Sequence, residues 1–132
     1  MANEIKSNTS VSSKDPAIRV TLLPKDTNAN GTIFGGIILS YIDLAAAVQV
    51  GKCTSQRAVT KAFKEVIFKA PVKVGDLLSF YATTTYIGKS SITVQIDVEV
   101  VRDGKEIQVT EAEVTYVCVN EQGLPVAVKL KN

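Results

Sequence analysis

Histidine and tryptophan are absent from this chain of 132 residues, and cysteine occurs only twice. Without histidine, the side chain that most often moves protons near neutral pH is missing, so any acid–base chemistry must come from other groups. Cys53 and Cys118 lie far apart, in no metal-binding spacing, which excludes a structural zinc site. We expect both thiols to be reduced, as in a cytoplasmic protein, and we expect no metal.

The chain also lacks a clear excess of either positive or negative charge. Fifteen basic and thirteen acidic residues give a net charge of +2, and the basic residues are scattered, which argues against a nucleic-acid-binding face. Residues 1–14 are polar and lack the apolar core of a secretory signal, so we interpret them as a poorly ordered lead-in. Residues 15–128 are of a size typical of one domain. The apolar run 37–50 is short and interrupted by Asp43, so we predict no membrane span.

The hydrophobic pattern predicts one strand, one long helix and four further strands. Residues 17–23 form the first strand, and the helix begins near Gly35 and stops at Gly51. Its residues are apolar on nearly every side, which is typical of a buried helix. Three further strands are predicted at residues 59–70, 77–87 and 92–100. A turn of the Asp-Gly type at residues 102–105 then leads into the last strand.

The last strand changes its hydrophobic parity. Its apolar residues fall on odd positions up to Val109 and on even positions from Ala112, which predicts a β-bulge near Thr110. This order of elements favours an α+β fold in which an antiparallel sheet curls around a central helix. A sheet covers only one side of such a helix, so we expect an oligomer in which another subunit covers the rest.

Asp43 is the only charged residue between residues 27 and 51. Helical spacing places it on one face with Gly36, Ser40 and Ala47, all small or polar. A carboxylate in apolar surroundings is costly unless another group pairs with it or the reaction uses it. The pattern alone leaves two hypotheses open, which are a structural carboxylate bonded to a neighbouring strand or subunit and a catalytic one.

Gly35 and Gly36 stand at the predicted start of the helix. Backbone N–H groups at a helix N-terminus lack intrahelical partners and favour negative charge. Glycine leaves room for a substrate carbonyl to approach these donors, as in an oxyanion hole. Asp43 would follow about 10 Å along the helix axis. This geometry is compatible with hydrolysis but does not require it.

Four segments resemble the hotdog-fold acyl-CoA thioesterases, in particular the small bacterial acyl-CoA thioester hydrolases. They are residues 26–43, which include Gly35–Gly36 and Asp43, and residues 68–76, 88–92 and 110–117. Together they extend over about residues 17 to 120. The resemblance implies a hotdog fold, dimers that assemble further into hexamers as trimers of dimers, and hydrolysis of acyl-CoA to free fatty acid and CoA.

The resemblance also implies roles for single residues. Asp43 matches the catalytic acid, acting as general base for water or as a direct nucleophile. The amide of Gly36 matches the oxyanion donor, with the amide of Gly35 as a second candidate, and Asn28 would orient water or substrate. No cofactor is implied, because coenzyme A is part of the substrate.

A second group of residues is implied to bind coenzyme A. The turn of Gly88, Lys89, Ser90 and Ser91 is similar to the family's CoA-contacting loop, although on its own it is equally an ordinary polar turn. The nucleotide end of the site would be bordered by Lys69, Pro71 and Val72. Phe34 and Tyr41 are candidates for the acyl pocket or for the core. Ile37 stands where close relatives commonly have tryptophan, which leaves chain-length preference open.

Two other functions occur among hotdog proteins. The hotdog hydratases and dehydratases rely on a catalytic histidine, which this chain lacks. A hotdog protein that binds acyl-CoA without hydrolysing it, as a sensor or lipid-binding module, is the remaining alternative. The presence of Asp43 and of Gly35–Gly36 favours the enzyme.

Overall fold

A computed structural model describes residues 14–132, so all but the last residue of the expected lead-in lies outside the described residues. A single α-helix within this range, α1, is formed by Gly35–Cys53. The five strands are β1 (Ile18–Thr21), β2 (Ala58–Phe68), β3 (Leu77–Ile87), β4 (Ser91–Arg102) and β5 (Lys105–Cys118). The predicted order of elements is therefore confirmed.

All strand pairs in the sheet are antiparallel, and the strand order is β1-β3-β4-β5-β2. The alternation predicted for β4 is confirmed, because its even-numbered residues from 92 to 100 face the core and are at most 1% exposed. They are Ile92, Val94, Ile96, Val98 and Val100. The same core contains the buried side of α1, so the sheet packs around a central helix as expected.

The predicted bulge in β5 is present. Val98 pairs with Thr110 and Glu99 pairs with Gln108, which leaves Val109 as the extra residue. The Val109 carbonyl accepts hydrogen bonds from the amides of Lys69, at 2.8 Å, and Ala70, at 3.3 Å. The bulge therefore attaches the segment after β2 to the sheet.

The expected helix stop at Gly51 is wrong by two residues. The chain after β5 returns to the end of α1, where Lys131 donates from its ammonium to the Gly51 carbonyl, at 2.7 Å, and from its amide to the Cys53 carbonyl, at 2.8 Å. These donors satisfy carbonyls that a helix end otherwise leaves unpaired, so glycine is not needed to end the helix. Residues 129–131 thus also pack on the domain.

One side of α1 is buried against the sheet, and the other is open. Ile38, Ile42, Ala45, Ala46 and Val50 are buried, whereas Leu44 and Val48 are 55% and 41% exposed. The sequence pattern predicted this uncovered apolar surface.

With 19 residues, α1 is longer than the apolar run of residues 37–50. By length and composition alone, the helix could cross a membrane. Core helices of soluble proteins share this property. Here the buried side of the helix belongs to the hydrophobic core formed with the sheet.

Candidate active site

The carboxylate of Asp43 is held by two hydroxyl groups from neighbouring strands. Thr60 of β2 donates to Oδ1 at 2.7 Å, and the hydroxyl of Tyr116 of β5 lies 2.7 Å from the same oxygen. The Tyr116 hydroxyl is also 2.8 Å from the backbone carbonyl of Asp43. Oδ2 has no hydrogen-bond partner among residues 14–132. One carboxylate oxygen is thus held in place and the other is available.

Tyr116 was not recognised as a site residue in the sequence. It shares its face of β5 with Val114 and Cys118, both fully buried, so the pattern indicated only a core residue. Burial raises the pKa of Tyr116 to about 12, the Asp43 carboxylate raises it as well, and the Thr60 hydroxyl acts in the opposite direction. Tyr116 is therefore a protonated hydroxyl, and hence a donor, throughout the neutral range.

The start of α1 presents two free amides. Phe34 is the N-cap residue and provides no side-chain cap. Ile37 donates to the Phe34 carbonyl at 3.0 Å, but no group among the described residues accepts from the amides of Gly35 or Gly36. This arrangement provides the donors expected of an oxyanion site.

A cavity of about 300 Å³ lies beside the helix start. It brings together five of the residues that the sequence assigned to the site, which are Asn28, Gly35, Lys69, Pro71 and Val72. Ile33, Ile38, Phe68 and Ala70 complete its lining. Asp43 does not line this cavity, so a single chain does not place its carboxylate next to the Gly35–Gly36 amides in one pocket.

Asn28 organises the loop before α1. Its side-chain oxygen accepts from the amides of Asn30, at 2.8 Å, and Thr32, at 3.2 Å, and its side-chain nitrogen donates to the Thr32 hydroxyl at 3.0 Å. Only one of the two side-chain N–H bonds is used, which leaves the other for a ligand in the cavity.

The loop after β2 is fixed from two sides. Ile33 donates to the Val72 carbonyl at 2.8 Å, and Arg102 donates to the Pro71 carbonyl at 2.7 Å and pairs with Asp76. The Lys69 ammonium, in contrast, is bonded to Gln108 at 2.6 Å and lies 3.2 Å from Glu111. Lys69 thus lines the cavity with a charge that Glu111 partly balances.

The turn containing Gly88, Lys89, Ser90 and Ser91 lies elsewhere. It follows Thr84, whose hydroxyl contacts Gln49 and Cys53 at the C-terminal end of α1. The Lys89 carbonyl accepts from the Val128 amide at 2.8 Å, and Ser90 lines a second cavity of about 290 Å³ together with Thr60. Since α1 is about 28 Å long, the turn and the first cavity lie near opposite ends of the chain's own helix.

The two aromatic candidates for the acyl pocket differ. Tyr41 packs on the ring of Phe80, with ring centroids 5.8 Å apart, and belongs to the core. Phe34 is 55% exposed and lies over Gly36. Ile37 packs against the core.

Neither cysteine takes part in a disulfide, and burial raises the pKa of the Cys118 thiol, which disfavours the nucleophilic thiolate. Within residues 14–132, no group of three cysteine, aspartate or glutamate side chains is placed to hold a metal ion.

Comparison with known proteins identifies the fold and family. The model of the Thioesterase superfamily matches residues 30–107. The acyl-CoA thioester hydrolase YciA of Escherichia coli K12 is 34% identical over 122 residues, which cover 89% of this chain and 92% of YciA.

Two solved structures show the same architecture. A hexameric hotdog fold thioesterase of Campylobacter jejuni has a TM-score of 0.81 and 39% identity, over 88% of this chain and 91% of that one. The hexameric broad specificity acyl-coenzyme A thioesterase HI0827 has a TM-score of 0.81 and 33% identity, over 92% and 86%. The chain therefore belongs to the Thioesterase superfamily and has the hotdog fold.

Proposed function

We propose that this protein hydrolyses fatty acyl-CoA to a free fatty acid and coenzyme A, with Asp43 as general base and the Gly36 amide, assisted by Gly35, as the oxyanion donor. The observation that carries the proposal is that α1 has two unpartnered amides at its start and, further along, a carboxylate whose Oδ2 has no partner among residues 14–132. The names of the relatives support the substrate class, since YciA is an acyl-CoA thioester hydrolase.

The reaction follows from these groups. Asp43 Oδ2 accepts a proton from water while the water oxygen forms a bond to the thioester carbon. The amides stabilise the negative charge on the carbonyl oxygen. The C–S bond then breaks, the carboxylic acid is released, and the proton passes from Asp43 to the coenzyme A sulfur. Direct attack by Asp43 would form a mixed anhydride with the enzyme instead, whereas general-base catalysis forms no covalent intermediate with the protein and consumes only water as the second reactant.

The active site is completed by a second subunit in this proposal. Helix N–H groups point towards the N-terminus, so a carbonyl that accepts from the Gly36 amide lies beyond the N-terminal end of α1. Asp43 lies in the opposite direction, about 10 Å further along the helix. An Asp43 from the partner subunit resolves this separation. The open apolar side of α1 supports such an interface, and the two solved structures described above are hexameric. We propose a hexamer built as a trimer of dimers.

Coenzyme A would then extend across subunits. Gly88, Lys89, Ser90 and Ser91 would contact it through amides, hydroxyls and the Lys89 ammonium, while Lys69, Pro71, Val72 and Asn28 border the cavity at the helix start. The distance between these two groups within one chain supports their origin in different subunits. A cytoplasmic location remains a prediction.

Turnover of acyl-CoA tests the proposal directly. Thiol release is measured with acyl-CoAs of graded chain length for wild type, Asp43→Asn and Asp103→Asn, the last being the same chemical change in an exposed turn. We expect Asp43→Asn to lose at least about 100-fold in kcat, with CoA binding retained and Asp103→Asn unaffected. Binding without turnover in the wild type would instead favour the non-catalytic acyl-CoA-binding alternative.

Mixed oligomers test the shared site. Gly36→Pro removes the proposed donor at a position where no helix hydrogen bond is lost. Oligomers assembled from equal amounts of Gly36→Pro and Asp43→Asn should regain about a quarter of wild-type activity, because random pairing leaves one intact site in each mixed dimer. No recovery in verified mixed oligomers would place both groups in the same subunit's site.

A further inference from the structure

We infer that Tyr116 is a positioning residue, which acts with Thr60 to hold Asp43 so that Oδ2, and not Oδ1, is the oxygen that accepts the proton from water. The inference rests on the proposed function and deepens it. Its basis is the asymmetry of the carboxylate, in which both hydroxyl groups approach one oxygen and neither approaches the other.

The asymmetry leaves Oδ1 poorly suited to accept the proton. Thr60 and Tyr116 are each 2.7 Å from Oδ1, so two hydroxyl groups already surround this atom. Oδ2 has no partner among residues 14–132 and keeps its lone pairs for water. A general base must lie within hydrogen-bond reach of the proton that it removes, and only Oδ2 offers that here.

Tyr116 also fixes the orientation of the carboxylate relative to the helix. Its hydroxyl lies between Oδ1 and the backbone carbonyl of the same aspartate, at 2.7 and 2.8 Å. The tyrosine is 5% exposed and sits on β5 among fully buried neighbours, so its own position is set by packing. A rigid contact of this kind holds a catalytic group in its productive geometry before substrate binds.

The contact persists over the range in which an assay would be run. Burial, together with the Asp43 carboxylate, raises the pKa of Tyr116 to about 12 in spite of the opposing effect of Thr60. The hydroxyl therefore keeps its proton well above neutral pH. A tyrosine that ionised would instead place a second negative charge beside Asp43.

Kinetics of Tyr116→Phe test the inference, because this change removes only the hydroxyl. We expect kcat to fall about 10- to 100-fold, the range for loss of a hydrogen bond to a charged group, while KM changes less than about twofold. Tyr81→Phe is the matched control, since Tyr81 is a similarly buried tyrosine, 4% exposed, whose hydroxyl lies 3.4 Å from Arg19 Nη2. Thr60→Val should lower kcat in the same way, and Thr60→Ser should restore it because serine keeps the hydroxyl.

A spectroscopic titration tests the contact without substrate. The absorbance of tyrosinate is followed with rising pH in wild type, Tyr116→Phe and Asp43→Asn, all in their native oligomers. The transition near pH 12 should vanish in Tyr116→Phe. In Asp43→Asn it should move to lower pH, because the charge that raises the Tyr116 pKa is gone.

The outcomes separate this inference from the proposed function. A wild type that hydrolyses acyl-CoA together with an unchanged kcat in Tyr116→Phe would overturn the positioning role alone. A wild type without hydrolysis would overturn the proposed function and, with it, the inference. An Asp43→Asn titration identical to wild type would refute the contact between the two residues in solution.

Discussion

Gly36 shows how one missing side chain shapes the site. A Cβ atom at this position would lie 2.6 Å from Cε2 of Phe34, closer than real Cβ contacts allow. Phe34 is half-exposed, so its ring can move aside, and the main effect of a methyl group is on the space before the free amides. The lack of a side chain at Gly36 therefore matters mainly because it leaves the space in front of these amides open.

Alanine at two glycines of α1 separates these effects. Gly51→Ala should stabilise the protein by about 0.5–1 kcal/mol, because a Cβ there meets nothing within 4 Å and alanine favours helix. Gly36→Ala should stabilise less, since Phe34 must move, and should lower thiol release. Urea unfolding and the thiol assay measure the two quantities. Full activity in Gly36→Ala would contradict the role given to this space.

Burial and hydrogen bonding compete at Asp76, next to the cavity loop. Burial alone would raise the pKa of this carboxyl, but hydrogen bonds from Arg102 and from the Lys73 amide outweigh it and lower the pKa below its ordinary value of 3.8. A lowered pKa means that the contribution to stability is present above pH 3.8 and is lost as the pH falls through the value in the folded protein.

The loss of stability caused by Asp76→Asn should therefore depend on pH. At neutral pH we expect the free energy of unfolding of the variant to be lower than that of the wild type by about 2 kcal/mol, which is the scale of hydrogen bonds to charged groups. The difference from wild type should shrink below pH 3.8 as the wild-type carboxyl becomes protonated. Urea unfolding at a series of pH values measures this, with Asp103→Asn as control. A constant difference at all pH values would show that charge is not the cause.

At the scale of elements, the hydrophobic pattern of the sequence predicted those features that depend only on neighbouring residues in the chain. The alternation in β4 and the parity change in β5 gave the buried face and the bulge at Val109, because side-chain direction in a strand follows residue count. The end of α1 was misplaced because its capping donors come from Lys131, 80 residues further on.

The site was only partly predictable for the same reason. Asn28, Gly35, Lys69, Pro71 and Val72 were assigned from the family resemblance, and the structure places them around one cavity. The contact of Tyr116 with Asp43 joins residues 73 positions apart and depends on the register of β5 against the helix. Nothing in the spacing of a single sequence reports such a contact.

On the scale of the whole molecule, the uncovered apolar surface is the main feature that one chain leaves unexplained. Leu44 and Val48 are four residues apart on α1, and Ile67 and Phe68 at the end of the edge strand β2 are also about half-exposed. Exposed apolar surface together with an unpaired strand edge is typical of a subunit interface.

Charge placed on this surface should disrupt assembly. Leu44→Lys and Val48→Lys are expected to shift the protein from the proposed hexamer to smaller species in sedimentation velocity. Activity should be lost with assembly if two subunits contribute to each site, as we propose. Gln122→Lys, in an exposed turn, is the control. Fully assembled and active Leu44→Lys protein would exclude this side of α1 from the interface.

The bulge at Val109 has a consequence for how the sequence can change in evolution. Its carbonyl holds the amides of Lys69 and Ala70, so the position of the cavity loop depends on how many residues separate the bulge from the hairpin at Asp103 and Gly104. Insertion or deletion of one residue between 105 and 109 would exchange the two faces of the strand or move the loop. The length of this segment is therefore expected to stay constant among functional descendants.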